Sequence, residues 1–387
     1  MHTEYDYIML GGGAAALMLA YAITQSNELK DKRLLIIDPV VKNQNDRTWC
    51  YWHASTTPFD HLAAKKWPQV SFKAPKFEAK LSTLPLHYYM LKGIDFYEFI
   101  QKKLQESGQV EFLQDRVSHT SEQNGYAQVH TQSQKQFSCA YCFDSRFQLS
   151  DFEGDERCIS LLQHFKGYLI QTPHDVFDIE CPTLFDFNIP QHNEVRFVYT
   201  LPLAPNKALI EFTIFSSALL PQMIDYDIAL KSYIEENLKI DSYQILEKEK
   251  GVIPMSNKPI TRKTGKYSLK IGTAAGMAKA STGYVFLRCW RDAQQITASL
   301  KKQNHPFQIT PTAPRFNVYD STIMNLMLTR GGQIQDYFTD LFSKNPTERL
   351  LRFLDDQTSL PEELLLMSTV PTRTFASSMT KILVNKI

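Results

Sequence analysis

The fold is decided near the start of the chain, by the stretch YDYIMLGGGAAALM at residues Tyr5–Met18. Its first six residues form an apolar run of strand type, and three glycines end that run. The Ala- and Leu-rich residues Ala14–Ser26 then predict a helix, and Arg33–Asp38 has the character of a second buried strand. Strand, glycine turn, helix and strand within about forty residues predict a βαβ unit with parallel strands.

The glycine turn matches the dinucleotide-binding fingerprint G-x-G-x-x-G/A at Gly11, Gly13 and Ala16. The first glycine permits a tight turn, the second lets the backbone approach a pyrophosphate, and the small third residue lets helix and strand pack closely. Asp38 ends the next strand, where a carboxylate can accept a hydrogen bond from a ribose hydroxyl. These four residues are predicted to bind FAD or NAD. The alternative is a plain turn between strand and helix.

Length and charge limit the class of protein. The 387 residues predict two or three packed units. With 42 basic and 41 acidic residues the net charge is +1, which excludes the basic excess expected of a nucleic-acid-binding protein. The 24 Phe and 18 Tyr residues suit an apolar ligand, although large hydrophobic cores explain them as well.

The lack of a recognisable targeting signal and the cysteine usage predict a cytoplasmic protein without a resident metal. Residues 1–6 show no secretory signal, and no apolar run approaches the roughly 20 residues of a membrane-spanning helix. The six cysteines are scattered, which is typical of reduced cytoplasmic thiols. Cys139 and Cys142 form a C-x-x-C, but a second pair that would complete a zinc site is missing from the sequence.

The middle of the chain has the pattern of an antiparallel sheet, and its end is predicted to be helical. Within a sheet expected from Leu161 to Lys250, two strands at Glu194–Leu201 and Ala208–Phe215 are joined by the turn Ala204–Lys207. Further helices are predicted at residues 96–105, with Asp95 as their cap, at 225–238 and at 284–300, and the tail from 318 onward is predicted to be helical.

Two later segments favour FAD over NAD. Tyr141–Arg146 is a strand ending in an acidic turn at Asp144, and Ile271–Gly276 is a strand ending in two spaced glycines, Gly272 and Gly276. These segments resemble elements of flavoproteins of the para-hydroxybenzoate hydroxylase type. Those proteins usually have G-D-x-x-G at the second element, where this chain has Thr273 in place of the Asp.

Four segments in order resemble the lycopene cyclase family. They are the opening Tyr5–Ala16, the N-x-T-W-like Asn45–Trp49, the R-F-V-Y-x-L-P-L segment Arg196–Leu203 with the acidic I-E-x-T element that follows it, and the T-G-Y-containing Ser281–Tyr284. The resemblance covers roughly residues 5–300. It implies a Rossmann-type α/β FAD-binding domain, formed here by residues 1–60, 95–160 and 265–300. An inserted antiparallel-sheet substrate domain (61–94 and 161–264) and a helical C-terminal region (301–387) complete the predicted fold.

The resemblance also implies an activity. Members close β-ionone rings at the linear ends of lycopene, giving gamma-carotene and beta-carotene, and they need FAD in its reduced form with NADPH as electron donor. They are associated with the cytoplasmic face of the membrane, where linear carotenoids reside. For this chain the resemblance adds Arg47, Thr282 and Gly283 to the expected FAD-binding residues.

Glu211 is the candidate catalytic acid. Strand alternation places it on one face with Leu209, Thr213 and Phe215, among apolar neighbours that would raise its pKa and keep it protonated. From the strand alone, a Glu facing solvent is the more common arrangement, and it is the resemblance that assigns Glu211 the acid role. Some relatives carry a second acidic residue directly after it. This chain has Phe212 there, so one acid must suffice or another must come from elsewhere.

Cyclisation also needs an environment that stabilises a carbocation. The resemblance implies that the reduced flavin supplies negative charge, and Phe197, Tyr199 and Tyr284 are candidate substrate-contacting aromatics through cation–π interactions. Core packing is the alternative for each of them.

Other activities and a role for the tail also fit the sequence. The rival functions are a flavin-dependent monooxygenase or prenyl-chain reductase of the same fold, or a carotenoid- or flavin-binding protein without turnover. In the tail, the apolar cluster Leu364–Met367 with Arg373, Lys381 and Lys386 suits a membrane surface, and packing against the flavin domain explains it equally.

Overall fold

The computed structural model describes residues 4–152 and 154–385. Its strands are β1 (Tyr5–Leu10), β2 (Leu34–Asp38), β3 (Thr48–His53), β4 (Lys65–Trp67), β5 (Gln69–Ala74), β6 (Phe77–Ser82), β7 (His87–Lys92), β8 (Val110–Gln114), β9 (Val117–Gln123), β10 (Tyr126–Thr131), β11 (Gln136–Asp144), β12 (Ser160–Gln171), β13 (Thr183–Asp186), β14 (Val195–Ala204), β15 (Lys207–Ser216), β16 (Gln244–Ser256) and β17 (Ser268–Lys270). Its α-helices are α1 (Ala14–Thr24), α2 (Gly93–Ser107), α3 (Met223–Ser232), α4 (Phe286–Gln303), α5 (Pro314–Arg330), α6 (Ile334–Lys344), α7 (Thr347–Leu354), α8 (Leu360–Thr369) and α9 (Thr372–Asn385).

The first sheet contains the predicted βαβ unit. β8, β2, β1, β11 and β17 pair in parallel in that order, and β10 and β9 extend the sheet antiparallel from the first half of β11. Helix α1 connects β1 to β2 and packs against α4 and α2. Ile8 and Met9 point to opposite faces of β1 and both are fully buried, as a sheet covered on both faces requires.

The second sheet has the strand order β16-β12-β15-β14-β13-β5-β6. The predicted hairpin is present as β14 and β15, with Leu201 opposite Leu209. The expectation of a purely antiparallel sheet is wrong at one place, because β13 pairs with β5 in parallel. β5 comes from a much earlier segment, so its direction in the sheet is not set by a hairpin with β13.

A small third sheet links the parts of the chain that precede and follow β5 and β6. It has the order β3-β7-β4, and its strands are antiparallel. β3 falls in the segment 1–60 that was assigned to the FAD-binding domain, and β7 falls in 61–94, assigned to the substrate domain. The two predicted domains therefore interlock along this sheet.

Helix α2 begins earlier than predicted. The amide of Gly93 donates to the carbonyl of Arg47 over 2.7 Å, and the cap residue is Lys92, which makes no side-chain capping bond. Asp95 lies in the first turn instead of at the cap, so the predicted capping role is wrong. The helix predicted over 225–238 is also split: α3 runs to Ser232, and a π-helix, Tyr233–Asn237, continues it.

The tail is helical, as predicted, and it covers one face of the second sheet. Phe342 of α6 stacks on Phe72 of β5 with ring centroids 4.7 Å apart, and Leu351 and Leu366 belong to the same buried cluster. The opposite face of that sheet packs against α3 through Phe212 and its neighbours. Within the residues described, no helix combines the length and apolarity that crossing a membrane requires.

Candidate active site

The glycine turn after β1 leaves backbone amides free at the N-terminus of α1. Gly11 has a φ of +95°, and a Cβ there would lie 2.6 Å from the Ser145 hydroxyl oxygen. Gly13 is the N-cap of α1, makes no side-chain capping bond, and would meet nothing within 4 Å if it carried a Cβ. Ala16 is fully buried where the helix packs on the sheet. Uncapped amides that face open space at a helix N-terminus are suited to a pyrophosphate.

Asp38 lies next to this turn, at the end of β2. Its carboxylate accepts hydrogen bonds from the amide of Gly12 over 2.6 Å and from the amide of Val40 over 2.7 Å. A cavity of about 220 Å³ opens beside it, lined in part by Val41 and Gln114. The carboxylate thus fixes the turn and borders a space that could hold an adenosine, and its contact with a ribose stays a prediction.

The two later segments lie against the same turn. Asp144 ends β11, next to Leu10 of β1, and forms a bidentate ion pair with Arg146, with N–O distances of 2.8 and 2.9 Å. Gly272 has a φ of +63°, and a Cβ there would lie 2.7 Å from the Cβ of Ala15. Gly276 has a φ of +73° and caps the short 3-10 helix Gly272–Ala275. The close approach of Gly272 to α1 explains why only glycine fits there.

A cavity of about 290 Å³ is lined by residues of the second and third sheets and of the segment between β17 and α4. It brings together residues that are far apart in the chain and that the sequence singled out. Its lining includes Arg47, Tyr199, Glu211, Thr282, Gly283 and Tyr284, together with Thr273. Three of the four segments that carried the family resemblance therefore meet at one cavity.

Two buried polar atoms at this cavity have no hydrogen-bond partner among the residues that the structure describes. They are the side-chain carbonyl oxygen of Gln163 and the hydroxyl of Thr282. Gly283 lies between them: its φ is +71°, and a Cβ there would lie 2.1 Å from the Gln163 oxygen. Buried polar groups are rarely left unsatisfied, so a bound group with polar edges, such as a flavin ring, fits these residues.

Aromatic side chains form another part of the cavity wall. The hydroxyls of Tyr88 and Tyr284 are 3.5 Å apart, and Trp52 meets the Tyr284 ring edge-on at 4.4 Å. Burial raises the pKa of Tyr88 and of Tyr199 well above the usual value. These phenols therefore stay neutral and present π faces without charge.

Phe197 is placed elsewhere. It is fully buried among core aromatics, with ring centroids 4.9 Å from Phe185 and 5.3 Å from Phe215. Phe197 shares a strand face with Tyr199, but it does not line the cavity. Phe197 therefore packs in the core, and the structure does not bring it to the site.

Glu211 lies on β15 with its exposed part in the cavity. The strand alternation is as predicted: Leu209 and Phe215 share its face, and Ile210 and Phe212 occupy the other. The Thr213 hydroxyl donates to Oε1 of Glu211 over 3.0 Å. Burial, followed by the charge of Glu249 and a hydrogen bond to it, raises the pKa of Glu211 well above its usual value. These causes favour the protonated form of the carboxyl group.

Glu249 is the partner that the sequence did not identify. It lies on β16, lines the same cavity, and accepts a hydrogen bond from the Thr48 hydroxyl over 2.9 Å. Burial raises its pKa, while the hydrogen bond with Glu211 acts in the opposite direction. Glu249 sits in the run Glu247-Lys248-Glu249-Lys250, whose alternating charges indicate a solvent-exposed strand. The sequence holds no signal that sets Glu249 apart from Glu247.

A buried ion cluster anchors the loop that carries Thr282 and Gly283. The carbonyl of Lys279 accepts hydrogen bonds from both of their amides, over 3.2 and 2.8 Å. The ammonium group of Lys279 lies 2.8 Å from Asp320 of α5 and 2.6 Å from Asp356, which follows α7. The helical tail is therefore tied directly to the cavity loop.

The structure combines an α/β fold, which carries a glycine turn of the dinucleotide-binding type, with a cavity that holds a buried carboxyl pair. A solved geranylgeranyl bacteriochlorophyll reductase-like protein from Thermoplasma acidophilum is similar, with a TM-score of 0.61 and 13% identity, covering 96% of this chain and 98% of that one. A flavoprotein/dehydrogenase from Cytophaga hutchinsonii gives a TM-score of 0.63 and 12% identity over 97% and 98%. The predicted α/β fold class is confirmed.

The profile of the lycopene cyclase protein family matches residues 6–381. The chain belongs to that family, and the resemblance seen in the sequence is confirmed. Lycopene beta-cyclase from Pantoea ananas is 25% identical over 220 residues, covering 55% of this chain and 53% of the relative. Lycopene beta-cyclase from Pseudescherichia vulneris is 25% identical over 263 residues, covering 65% and 62%. The alignments thus span between about half and three-fifths of these relatives' lengths.

Proposed function

We propose that this protein cyclises the linear ends of lycopene to β-ionone rings, giving gamma-carotene and beta-carotene, without net oxidation or reduction. The observation that carries the proposal is Glu211: a carboxyl group kept protonated by burial, in a cavity with a neutral aromatic wall. Family membership supports the choice of substrate, as do the two relatives named lycopene beta-cyclase.

The reaction begins with a proton transfer from Glu211. An isolated alkene is a very poor base, so the donor must be a neutral acid held in a dry site next to the carbon that it protonates. Thr213 donates a hydrogen bond to one oxygen of the carboxyl group, which orients the group at the cavity. The tertiary cation formed by protonation is attacked by the neighbouring double bond, and loss of a proton from the new ring completes the isomerisation.

The aromatic residues at the cavity stabilise the positive charge. Tyr199 and Tyr284 can each contribute about 0.5–2 kcal/mol through cation–π contacts, and their burial keeps water away from the cation. Because the phenols are neutral, they do not quench the cation by forming a bond to it as a phenolate would.

FAD is the proposed cofactor, and the residues present fit it. Gly11, Gly13 and Asp38 would hold the pyrophosphate and the ribose, and Thr282 and Gly283 would lie at the flavin ring. When bound in reduced form, the flavin supplies negative charge that stabilises the cationic transition state. NADPH as the source of electrons is part of the proposal and rests on the family resemblance.

Contact with a membrane is proposed because the substrate is a membrane hydrocarbon. Only part of the predicted apolar cluster of the tail faces outward. Leu364 and Leu365 are 67% and 52% exposed, whereas Leu366 is buried. Leu383 and Val384 of α9 are exposed as well. We propose that these outward residues rest on the cytoplasmic face of the membrane, with Arg373 and Lys381 near the headgroups. Lys386 lies outside the described residues.

The test is the mass of the product. The purified protein is incubated without oxygen with FAD, NADPH and liposomes that contain lycopene. The proposal predicts a product of unchanged mass with the absorption of ring-closed carotenoid, and its loss in Glu211→Gln with FAD binding retained. A product heavier by an oxygen atom would indicate a monooxygenase, and one heavier by two hydrogens a prenyl-chain reductase, the activity suggested by the Thermoplasma neighbour. Either product would overturn the proposal.

A further inference from the structure

Four residues lie in one row across four strands of the second sheet. Tyr199 is opposite Glu211, Glu211 is opposite Gly167, and Gly167 is opposite Glu249. Residues directly opposite each other on neighbouring strands project to the same face. The row therefore presents one phenol and two carboxyl groups to the cavity, with a glycine between the two acids.

Gly167 is what allows the two acids to meet. Their strands are separated by β12, so their backbones are about 10 Å apart, twice the spacing between strands. The side chains must lean over β12 to make contact. A Cβ at residue 167 would lie 3.0 Å from Cγ of Glu249 and 3.3 Å from Cδ1 of Leu209, closer than side-chain carbons normally pack. Any larger residue would occupy the space through which Glu249 reaches Glu211.

The hydrogen bonds around the pair give its members different roles. Glu211 and Glu249 are hydrogen-bonded to each other, which two ionised carboxylates cannot be. Thr213 donates to Glu211, and Thr48 donates to Glu249. Burial raises the pKa of both carboxyl groups, and that of Glu211 well above its usual value. With the shared proton on Glu211, Glu249 is the partner that can receive a proton.

Other ionisable groups at the cavity are engaged elsewhere. Asp46 is paired with Arg47, at a distance of 3.7 Å, and accepts a hydrogen bond from Tyr97. Lys250 is exposed to solvent. Among the cavity residues that the structure describes, Glu249 is the carboxylate placed beside the acid.

We propose that Glu249 is the second catalytic carboxyl group, which accepts the proton lost from the cyclised cation. This inference rests on the proposed function. The O–H bond of Glu211 breaks as a C–H bond forms on the alkene, and the second double bond then forms the ring. A C–H bond next to the cation breaks, its electron pair forms the ring double bond, and its proton goes to Glu249. The proton returns to Glu211 through the hydrogen bond between the acids, so that atoms and electrons balance without an added reactant.

The experiment compares three variants with the wild type. Glu249→Gln removes the acceptor, Gly167→Ala separates the acids while keeping both, and Glu247→Gln removes an exposed carboxyl group from the same strand as a control. Turnover of liposomal lycopene with reduced FAD gives kcat and KM, and infrared spectra recorded as a function of pH follow the protonated carboxyl group without any substrate.

We expect Glu249→Gln to lower kcat by about 100-fold or more, the usual size of a general acid–base contribution. KM and FAD affinity should stay within about twofold of the wild-type values. A change in kcat without a change in KM or FAD affinity would not result from loss of packing alone. Gly167→Ala should lower kcat as well, and Glu247→Gln should leave it unchanged. In the infrared titration, Glu249→Gln should move the ionisation of Glu211 to lower pH.

Two results would overturn the inference while leaving the proposed function intact. One is wild-type turnover by Glu249→Gln, and the other is a Glu211 ionisation that is the same in Glu249→Gln as in the wild type. If the wild type forms no isomer of lycopene, the proposed function fails and the base role fails with it. The infrared titration still decides whether the two acids share a proton.

Discussion

Replacing Lys279 with Met should destabilise the protein through the loop that carries Thr282 and Gly283. The side chain of Lys279 is 4% exposed, and its ammonium group lies between the carboxylates of Asp320 and Asp356. Methionine has a similar length and preserves the packing of the stem. The substitution therefore removes the buried positive charge and leaves two carboxylates without their shared partner.

The magnitude follows from what remains around those carboxylates. Removing one member of a buried ion pair costs about 3–5 kcal/mol. Asp356 keeps Arg288, and Asp320 keeps the Ser281 hydroxyl at 2.7 Å, so the lower end of that range is expected. At about 2.1 cal/mol/K per residue, the unfolding entropy of 387 residues is about 0.8 kcal/mol/K. A loss of about 3 kcal/mol then lowers the melting temperature by about 4 °C.

The assay is thermal unfolding at one fixed FAD concentration, with an exposed ion pair as control. Lys76 lies 3.1 Å from Asp336, and the two side chains are 77% and 49% exposed. Lys76→Met should cost less than about 1 kcal/mol, because exposed pairs contribute little. FAD affinity should fall in Lys279→Met alone, since the Lys279 backbone holds the Thr282 and Gly283 amides.

A second substitution separates charge from packing. Adding Asp320→Asn to Lys279→Met neutralises the carboxylate that has lost its only cationic partner in the cluster. The double variant should therefore recover part of the decrease in melting temperature. If Lys279→Met melts no lower than Lys76→Met, or if the double variant is less stable than Lys279→Met, the reasoning about the buried cluster is wrong.

Three further predictions concern the cofactor, the acid and the tail. Gly283→Ala should weaken FAD binding at least about tenfold, because it strains a φ of +71° and drives a methyl group into Gln163; unchanged affinity in a fluorescence titration would refute this. The melting temperature of Glu211→Gln should exceed that of the wild type by a margin that grows as pH rises from about 5 to about 8. The pKa of Glu211 is raised in the folded state, so its stabilising contribution is complete below the unfolded-state pKa and is lost as pH rises. A difference in melting temperature that does not depend on pH would contradict this prediction. Replacing Leu364 and Leu365 with Gln should reduce sedimentation with anionic lipid vesicles without changing the melting temperature, whereas equal binding would exclude these residues from the membrane contact.

Much of the fold could be read from local sequence patterns. The βαβ unit follows from two apolar runs and a glycine turn between Tyr5 and Asp38, and the hairpin follows from two alternating strands joined at Pro205 and Asn206. Such patterns determine pairing between neighbours in the chain. They do not determine that β5 joins β13 in parallel, because that pairing is set by the tertiary packing of distant segments.

The site could be predicted only where the sequence carries a recognisable motif. Gly11 belongs to the glycine fingerprint after the first strand, whereas Gly283 and Glu211 were predicted through the family resemblance of their segments. Glu249 looks like its exposed neighbour Glu247, and its burial depends on Gly167 and Glu211 from other strands. Phe197 and Tyr199 alternate identically on β14, yet one lies in the core and the other at the cavity. That difference depends on which distant segments pack around each ring, and no strand pattern contains this information.

The central claim is that a carboxyl group on the protein protonates a carbon–carbon double bond of the substrate. The most direct measurement is the mass of the ring-closed product formed without oxygen, in ordinary water and in deuterium oxide. The account predicts an isomer of lycopene in water, a product that carries deuterium in its new ring after a single turnover of enzyme equilibrated with deuterium oxide, and neither from Glu211→Gln. A single-turnover product free of deuterium, or ring closure at the wild-type rate by Glu211→Gln, would contradict it.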